Sequence, residues 1–224
     1  MTMRILYLSQ YFPPEVGATQ TRAYEMARNL VRLGHQVTVL AEVPNHPTGI
    51  IPPAYRGKLY DRAVMDGIDV LRVWVKTAPQ KTFATRMLLY LTYMVNGALA
   101  GSLLAPGRFD LVYATSPPLF VGAAALALSR LRRAPMVFEV RDLWPESAIE
   151  LGMIASPRLI DVFMRLARRA YRRADVVFGQ TQGILDGVEE VVPGTPTMMF
   201  PNGVDCERFQ PRSRDNQLAA ELDV

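Results

Sequence analysis

The chain has 224 residues, half of them hydrophobic and 21% charged, which is enough for a packed core and argues against a disordered chain. Its formal charge of +4 is carried almost wholly by arginine, because only Lys58, Lys76 and Lys81 are lysines among 25 basic residues, and guanidinium groups suit bidentate phosphate and carboxylate contacts. Cys206 is the single cysteine and His35 and His46 are the two histidines, which excludes an internal disulfide and a Cys- or His-rich metal site.

Residues 4–9 form a short apolar run that ends in a turn, as a buried parallel strand does. A loop over 10–18 follows, with Pro13, Pro14 and Gly17. Ala23, Met26, Ala27, Leu30 and Val31 then recur at helical spacing, and Gly34 supplies the stop. Residues 36–41 are a second strand, so 4–41 reads as a βαβ unit. A Pro- and Gly-rich loop over 44–57 leads toward a third strand at 68–75. A helix is predicted over 83–105, a fourth strand over 111–114, a small-residue helix over 119–131 and a fifth strand over 136–140. A helix over 157–174, a sixth strand over 176–179, a helix near 183–191 and a last strand over 197–200 complete the series. This alternation predicts an α/β fold: a doubly wound, mostly parallel, Rossmann-like sheet with helices on both faces. The N-terminal apolar run meets Pro13-Pro14 too early for a signal peptide, and a reducing, cytoplasmic setting is expected.

Two segments raise the question of a membrane. Residues 87–107 carry no charge between Arg86 and Arg108, and Gly97 and Gly101 form a GxxxG pair. Thr92, Asn96 and Ser102 interrupt the run, which lies between two strands of one sheet. It reads as a crossover helix, with an interfacial membrane contact as the alternative. The helix from Pro157 crowds Arg165, Arg168, Arg169, Arg172 and Arg173 into its last turns, opposite an apolar stripe that includes Ile160, Phe163 and Ala167. These cations suit either a solvated helix C-terminus or a patch for anionic lipid headgroups or diphosphate. Tyr171 is the one aromatic residue among them, and nucleic acid is not expected.

Ligands of open α/β sheets bind beyond the carboxyl ends of the strands, which selects the loops. The first offers Gly17 and Ala18 ahead of a helix N-terminus, with Arg22 one turn in; no G-x-G-x-x-G and no P-loop are present. The second, 43–49, carries Asn45 between prolines. The third offers the hydroxyls of Thr115 and Ser116, for a sugar or for a helix cap. The fourth, 139–147, holds Arg141, Asp142, Trp144 and Glu146; its carboxylates can accept hydroxyl hydrogen bonds or act as a base, and Trp144 is either a sugar-stacking face or a core plug. Near the end, Pro201-Asn202-Gly203-Val204-Asp205 reads as a tight turn, with Asp205 placed to cap a helix or hold a hydroxyl.

The proline–glycine loop at 13–17, Gly34-His35-Gln36-Val37-Thr38-Val39-Leu40, Asp142-Leu143-Trp144-Pro145-Glu146, Ala174-Asp175-Val176-Val177 and Pro201-Asn202-Gly203-Val204-Asp205 stand in an order and spacing that resembles the N-terminal domain of family-4 retaining glycosyltransferases of the GT-B fold. The resemblance covers residues 3–211, and is greatest to bacterial enzymes of cell-surface polysaccharide or lipopolysaccharide synthesis, including fucosamine transferases. It implies an acceptor-binding domain over 1–211 and, at 212–224, the start of a linker to a missing donor-binding domain, so the chain alone is expected to be inactive. It implies a nucleotide-sugar donor, UDP-linked, transfer of a hexosyl or N-acetylaminosugar unit, and a glycan or polyprenyl-diphosphate-linked acceptor. Front-face attack then needs no protein nucleophile, no metal and no cofactor, at a peripheral site on the inner face of the plasma membrane. Asp142 is the candidate for touching the acceptor hydroxyl. Gly17, Ala18, Arg22, Asn45, Ser116, Arg141, Glu146, Asn202 and Asp205 are the candidate substrate contacts. Two features depart from the family. No two glutamates lie eight positions apart, and Arg141-Asp142 stands where many members place a histidine. A non-catalytic sugar- or headgroup-binding module and a nucleotide-sugar epimerase are the rival readings.

Overall fold

A computed structural model of the chain describes residues 1–80, 82–207 and 209–211. The strands are β1 (Arg4–Leu8), β2 (Gln36–Glu42), β3 (Tyr60–Met65), β4 (Ile68–Val73), β5 (Leu111–Thr115), β6 (Met136–Val140), β7 (Val176–Gly179) and β8 (Thr197–Met199). The helices are α1 (Ala18–Arg32), α2 (Phe83–Leu103), α3 (Phe120–Arg132), α4 (Glu146–Glu150), α5 (Pro157–Arg173) and α6 (Gln182–Val191). The strands form one sheet in the order β3-β4-β2-β1-β5-β6-β7-β8, parallel except for the β3–β4 pair. The winding reverses at β1, where β2 lies on one side and β5 on the other, so the carboxyl ends of β1 and β5 flank the switch point. The expected doubly wound sheet is therefore present. The linker expected at 212–224 lies outside the described residues.

The first βαβ unit shows how the sequence sets local structure. Ala23 and Ala27 let α1 approach the sheet and are fully buried. The helix ends in a Schellman motif: His35 N–H donates to Leu30 C=O and Gly34 N–H to Val31 C=O. That geometry needs Gly34 at φ +88°, a left-handed conformation that side chains resist.

One strand was not anticipated. β3 falls between the expected loop at 44–57 and the expected strand at 68–75, where no element was assigned, and returns to β4 through Asp66 and Gly67, both at positive φ. Asp-Gly is a strong hairpin signal, but β3 is an exposed edge whose residues do not alternate cleanly. Its Arg62 forks onto both carboxylate oxygens of Asp69 at 2.7 Å. The one-and-a-half-turn helix α4 was also missed.

The pleat sends alternate residues to opposite faces. Leu6, Leu8, Leu40, Met136, Phe138 and Val177 face the core built with α2, α3, α5 and α6. Ile5, Tyr7, Val39, Val70 and Tyr113 face the other side with α1, which lies over β2 and β4. The Gly97–Gly101 pair packs inside the protein. A methyl at Gly101 would stand 2.8 Å from Leu128 of α3, and one at Gly97 would stand 3.6 Å from Leu40. Among the described residues no helix is long and apolar enough to cross a membrane.

Candidate active site at the carboxyl edge of the sheet

A polar cluster occupies the α1 side of the sheet at the carboxyl ends of the central strands. Glu139, fully buried in β6, is its hub. Arg22 of α1 forms an ion pair with it, with Nε 2.7 Å from Oε1, and the Tyr113 hydroxyl donates to Oε2 at 2.9 Å. Arg22 also donates to Asn202 Oδ1 at 2.7 Å and lies over the Phe200 ring at 5.5 Å. One guanidinium thus ties the first helix to the loop after the last strand, although 180 residues separate them. A buried carboxylate is tolerated because a charged partner and a hydroxyl replace its water.

Around this hub several buried polar atoms have no partner among the described residues: the Tyr7 hydroxyl, Thr115 Oγ1, Arg141 Nε and Nη1, and Gln180 Nε2. Strand register places them together. Tyr7 pairs with Tyr113, Thr115 with Glu139, and Glu139 with Phe178, so Arg141 and Gln180 follow two positions later on the same face. Burial lowers the pKa of Arg141, an effect opposed by the Glu139 charge. Orphaned donors of this kind are costly, and a ligand rich in oxyanions or hydroxyls would satisfy them.

A second feature lies over the β2 end of the same edge. Tyr11, Asn45, His46, Gly49, Arg86 and Tyr90 line a cavity of about 160 Å³. Its wall is held from beneath: Glu15 Oε1 accepts from the backbone N–H of Asn45 at 2.5 Å and of His46 at 2.6 Å. Glu42 accepts from Asn45 Nδ2 at 2.6 Å and from Gln10 Nε2 at 2.7 Å. Burial, followed by the charge of Glu15, holds the Glu42 carboxyl well above the usual range, and the two amide donors only partly offset this. Gly49 is required here. It adopts φ +71°, and a methyl on it would meet the Ala78 carbonyl oxygen at 2.1 Å. Among the described residues Arg86 bonds to no acid.

The expected site residues divide between these features. Arg22, Asn202 and Arg141 belong to the hub. Ser116 sits beside it with its hydroxyl directed to the Glu139 carbonyl at 3.3 Å. Asn45 lines the cavity. Gly17 and Ala18 open α1, which has no side-chain cap. Gly17 is extended, and its lack of a side chain matters because a methyl would meet Gln20 Oε1 at 2.6 Å. Asp142, in the bend after β6, turns toward α4 and accepts from Ser147 Oγ at 3.0 Å. With Glu146 it raises the pKa of Tyr171, second to burial. One oxygen of Glu146 is buried without a partner. Trp144 packs on Phe163 at 5.2 Å, which is the core-plug reading. Asp205 is exposed, and its carboxylate accepts from Glu207 N–H. Of the arginines on α5, Arg165 pairs with Asp161.

Several residues of the site escaped the sequence reading. Glu139, Tyr113, Tyr7 and Gln180 make or surround the hub, and Glu15, Glu42, Tyr11, His46 and Arg86 build the cavity. The signal for Glu139 and Glu42 was an acid inside an otherwise apolar parallel strand, where only a charged or hydrogen-bonding partner makes burial tolerable.

The sequence profile of the Glycosyl transferase 4-like domain matches residues 17–203. No curated protein matches the chain. Among solved structures, sucrose-phosphate synthase from Thermosynechococcus elongatus is 13% identical, with a TM-score of 0.62 over 99% of this chain and 53% of that one. Anabaena HepE is 16% identical in its complex with UDP-glucose, with a TM-score of 0.56 over 99% of this chain and 50% of that one. In complex with UDP it is 15% identical with a TM-score of 0.60, again over 50% of its length. The chain therefore spans about half the length of these structures, which share its fold. By the match over 17–203, the chain belongs to the Glycosyl transferase 4-like domain family.

Proposed function

We propose that the chain is the acceptor-receiving half of a retaining glycosyltransferase that moves a hexosyl or N-acetylaminosugar unit from a UDP-sugar to a lipid-linked glycan in cell-surface polysaccharide synthesis. The observation that carries the reading is the pairing, on one carboxyl edge, of the orphaned donors around Arg141 with the cavity at Asn45 and Arg86. Structural neighbours bound to UDP and UDP-glucose support a nucleotide-sugar donor.

In this scheme Arg141, with the uncapped amides at Gly17 and Ala18, faces the donor diphosphate across the cleft, because fixed donors stabilise the charge that grows on a leaving phosphate. The cavity takes the acceptor sugar: Tyr11 and Tyr90 supply ring faces, Asn45 a hydrogen bond and Arg86 a positive charge for the acceptor's own phosphate. Asp142 and Glu146 stand at the β6 end for an acceptor hydroxyl. Ser116, Asn202 and Asp205 complete the rim. Front-face transfer assisted by the donor phosphate needs no protein nucleophile, metal or cofactor. The reaction would proceed on the cytoplasmic side, at the inner face of the plasma membrane.

The test is transfer of labelled sugar from a UDP-sugar to a short-chain prenyl-diphosphate glycan, with a donor-binding half supplied in trans. The reading expects product only when both halves are present, and a product that retains the donor's anomeric configuration. Release of a free sugar epimer, or acceptor binding with no transfer under any pairing, would replace it with an epimerase or a binding module.

A further inference from the structure

A surface helix of a globular protein normally turns charged or polar residues outward. α2 does not. Its inward side, Tyr93, Gly97, Ala100 and Gly101, is buried against the sheet and α3. Its outward side is also apolar: Leu88, Leu91, Val95, Leu99 and Leu103 are 40% to 78% exposed. Their spacing of three, four, four and four places them on one arc of the helix. No charged residue occurs from 87 to 107 to interrupt it. Among the described residues nothing covers this stripe, yet no helix is long and apolar enough to cross a bilayer.

The charge beside it narrows what the stripe would meet. α2, α3 and α5 form one layer, α3 packing between the other two. α2 carries one arginine, α3 two and α5 six, against a single acid, Asp161, which Arg165 already pairs. Arg132 is engaged with the carbonyls of Gly101, Ser102 and Ala105. Arg168, Arg169, Arg172 and Arg173 of α5 are exposed. Acids stand on the flanking helices instead: α4 bears Glu146 and the exposed Glu150, and α6 bears Asp186, Glu189 and Glu190. An apolar stripe beside exposed guanidinium groups complements a surface that is oily below and anionic above.

We infer that the outward face of α2 lies in the headgroup region of an anionic lipid bilayer, with the α5 arginines on the lipid phosphates. The cavity is lined by Arg86, Leu89 and Tyr90 from the first two turns of α2, so this seating brings its mouth to the bilayer surface, where the headgroup of a lipid-linked acceptor stands. It rests on the acceptor reading above only for what the cavity meets there.

Flotation of the chain with vesicles tests this without donor or acceptor. Vesicles of phosphatidylcholine alone are compared with vesicles that also contain phosphatidylglycerol. The expected result is binding to the anionic vesicles, weaker in high salt. The partition coefficient should fall about tenfold or more in Leu91→Asp/Val95→Asp and in Arg168→Gln/Arg169→Gln/Arg172→Gln. Val64→Asp, on the exposed edge strand β3, should bind as the unaltered chain. All six substituted positions, on α2, α5 and β3, are exposed, and circular dichroism checks that each variant is folded. Absence of binding to anionic vesicles, equal binding to neutral ones, or full binding by Leu91→Asp/Val95→Asp would overturn the inference. So would a dimer that this double variant dissociates in the absence of lipid. Failure here leaves the transfer test standing, and failure of transfer leaves the vesicle result standing.

Discussion

Replacing Arg22 with methionine isolates the hub. The substitution keeps most of the side-chain volume and removes the guanidinium, leaving the fully buried Glu139 with the Tyr113 hydroxyl as its remaining side-chain donor. Breaking one partner of a buried ion pair costs about 3–5 kcal/mol, because a charge is left without compensation. The lower end applies here, since the Tyr113 bond persists and the Arg141 charge is close. Loss of the bond to Asn202 adds little, because that residue is exposed. The expected cost is about 3 kcal/mol, a fall in Tm of about 6–12 °C for a chain of this size. Urea denaturation followed by circular dichroism measures it. The decisive comparison is Arg22→Met/Glu139→Gln, which also removes the stranded charge and should recover about 1.5 kcal/mol or more relative to Arg22→Met. A single variant within about 1 kcal/mol of the unaltered chain, or a double variant less stable than the single, would refute the assignment of Glu139 as a buried, Arg22-dependent carboxylate.

Glu42 makes stability depend on pH. Its folded pKa is raised, so the folded state holds this proton more tightly than the unfolded chain does. The associated stability is present below the ordinary carboxyl pKa and is lost as pH rises through the raised value. Glu42→Gln should remove that slope, and urea midpoints should shift in the variant's favour as pH rises; a constant gap would contradict the burial argument. Gly49→Ala should lose about 1–3 kcal/mol, because its positive φ and the Ala78 carbonyl both oppose a methyl, and acceptor binding should weaken with it. Gly101→Val should cost about 1–3 kcal/mol by forcing α2 off Leu128, readable as a lowered urea midpoint.

The parallel framework was legible because each of its strands is a short apolar run closed by turn residues, and because Gly34 marks the end of α1. The edge hairpin was not, since Tyr60 to Met65 packs one face loosely and leaves the other to solvent, so the period-2 signal is blurred. The site was legible as loops. Position in the fold selected Arg22, Asn45, Arg141 and Asn202, all of which stand on the carboxyl edge. Their partners were not legible, because Arg22 meets Glu139 across 117 residues and Glu15 reaches Asn45 across 30. Such pairings follow from strand order, which local pattern does not encode. Trp144 was open between a sugar platform and a core plug, and only the packing on Phe163, 19 residues further on, decides for the core.

The central claim is that one edge of this sheet receives a phosphorylated glycan. Hydrogen exchange read by mass spectrometry, with and without a short-chain prenyl-diphosphate sugar, tests it most directly. Protection confined to 43–49, 82–90 and 139–147 is the predicted footprint. Protection absent from all three segments at saturating acceptor, or gathered instead along β3 and the opposite ends of the strands, would contradict it.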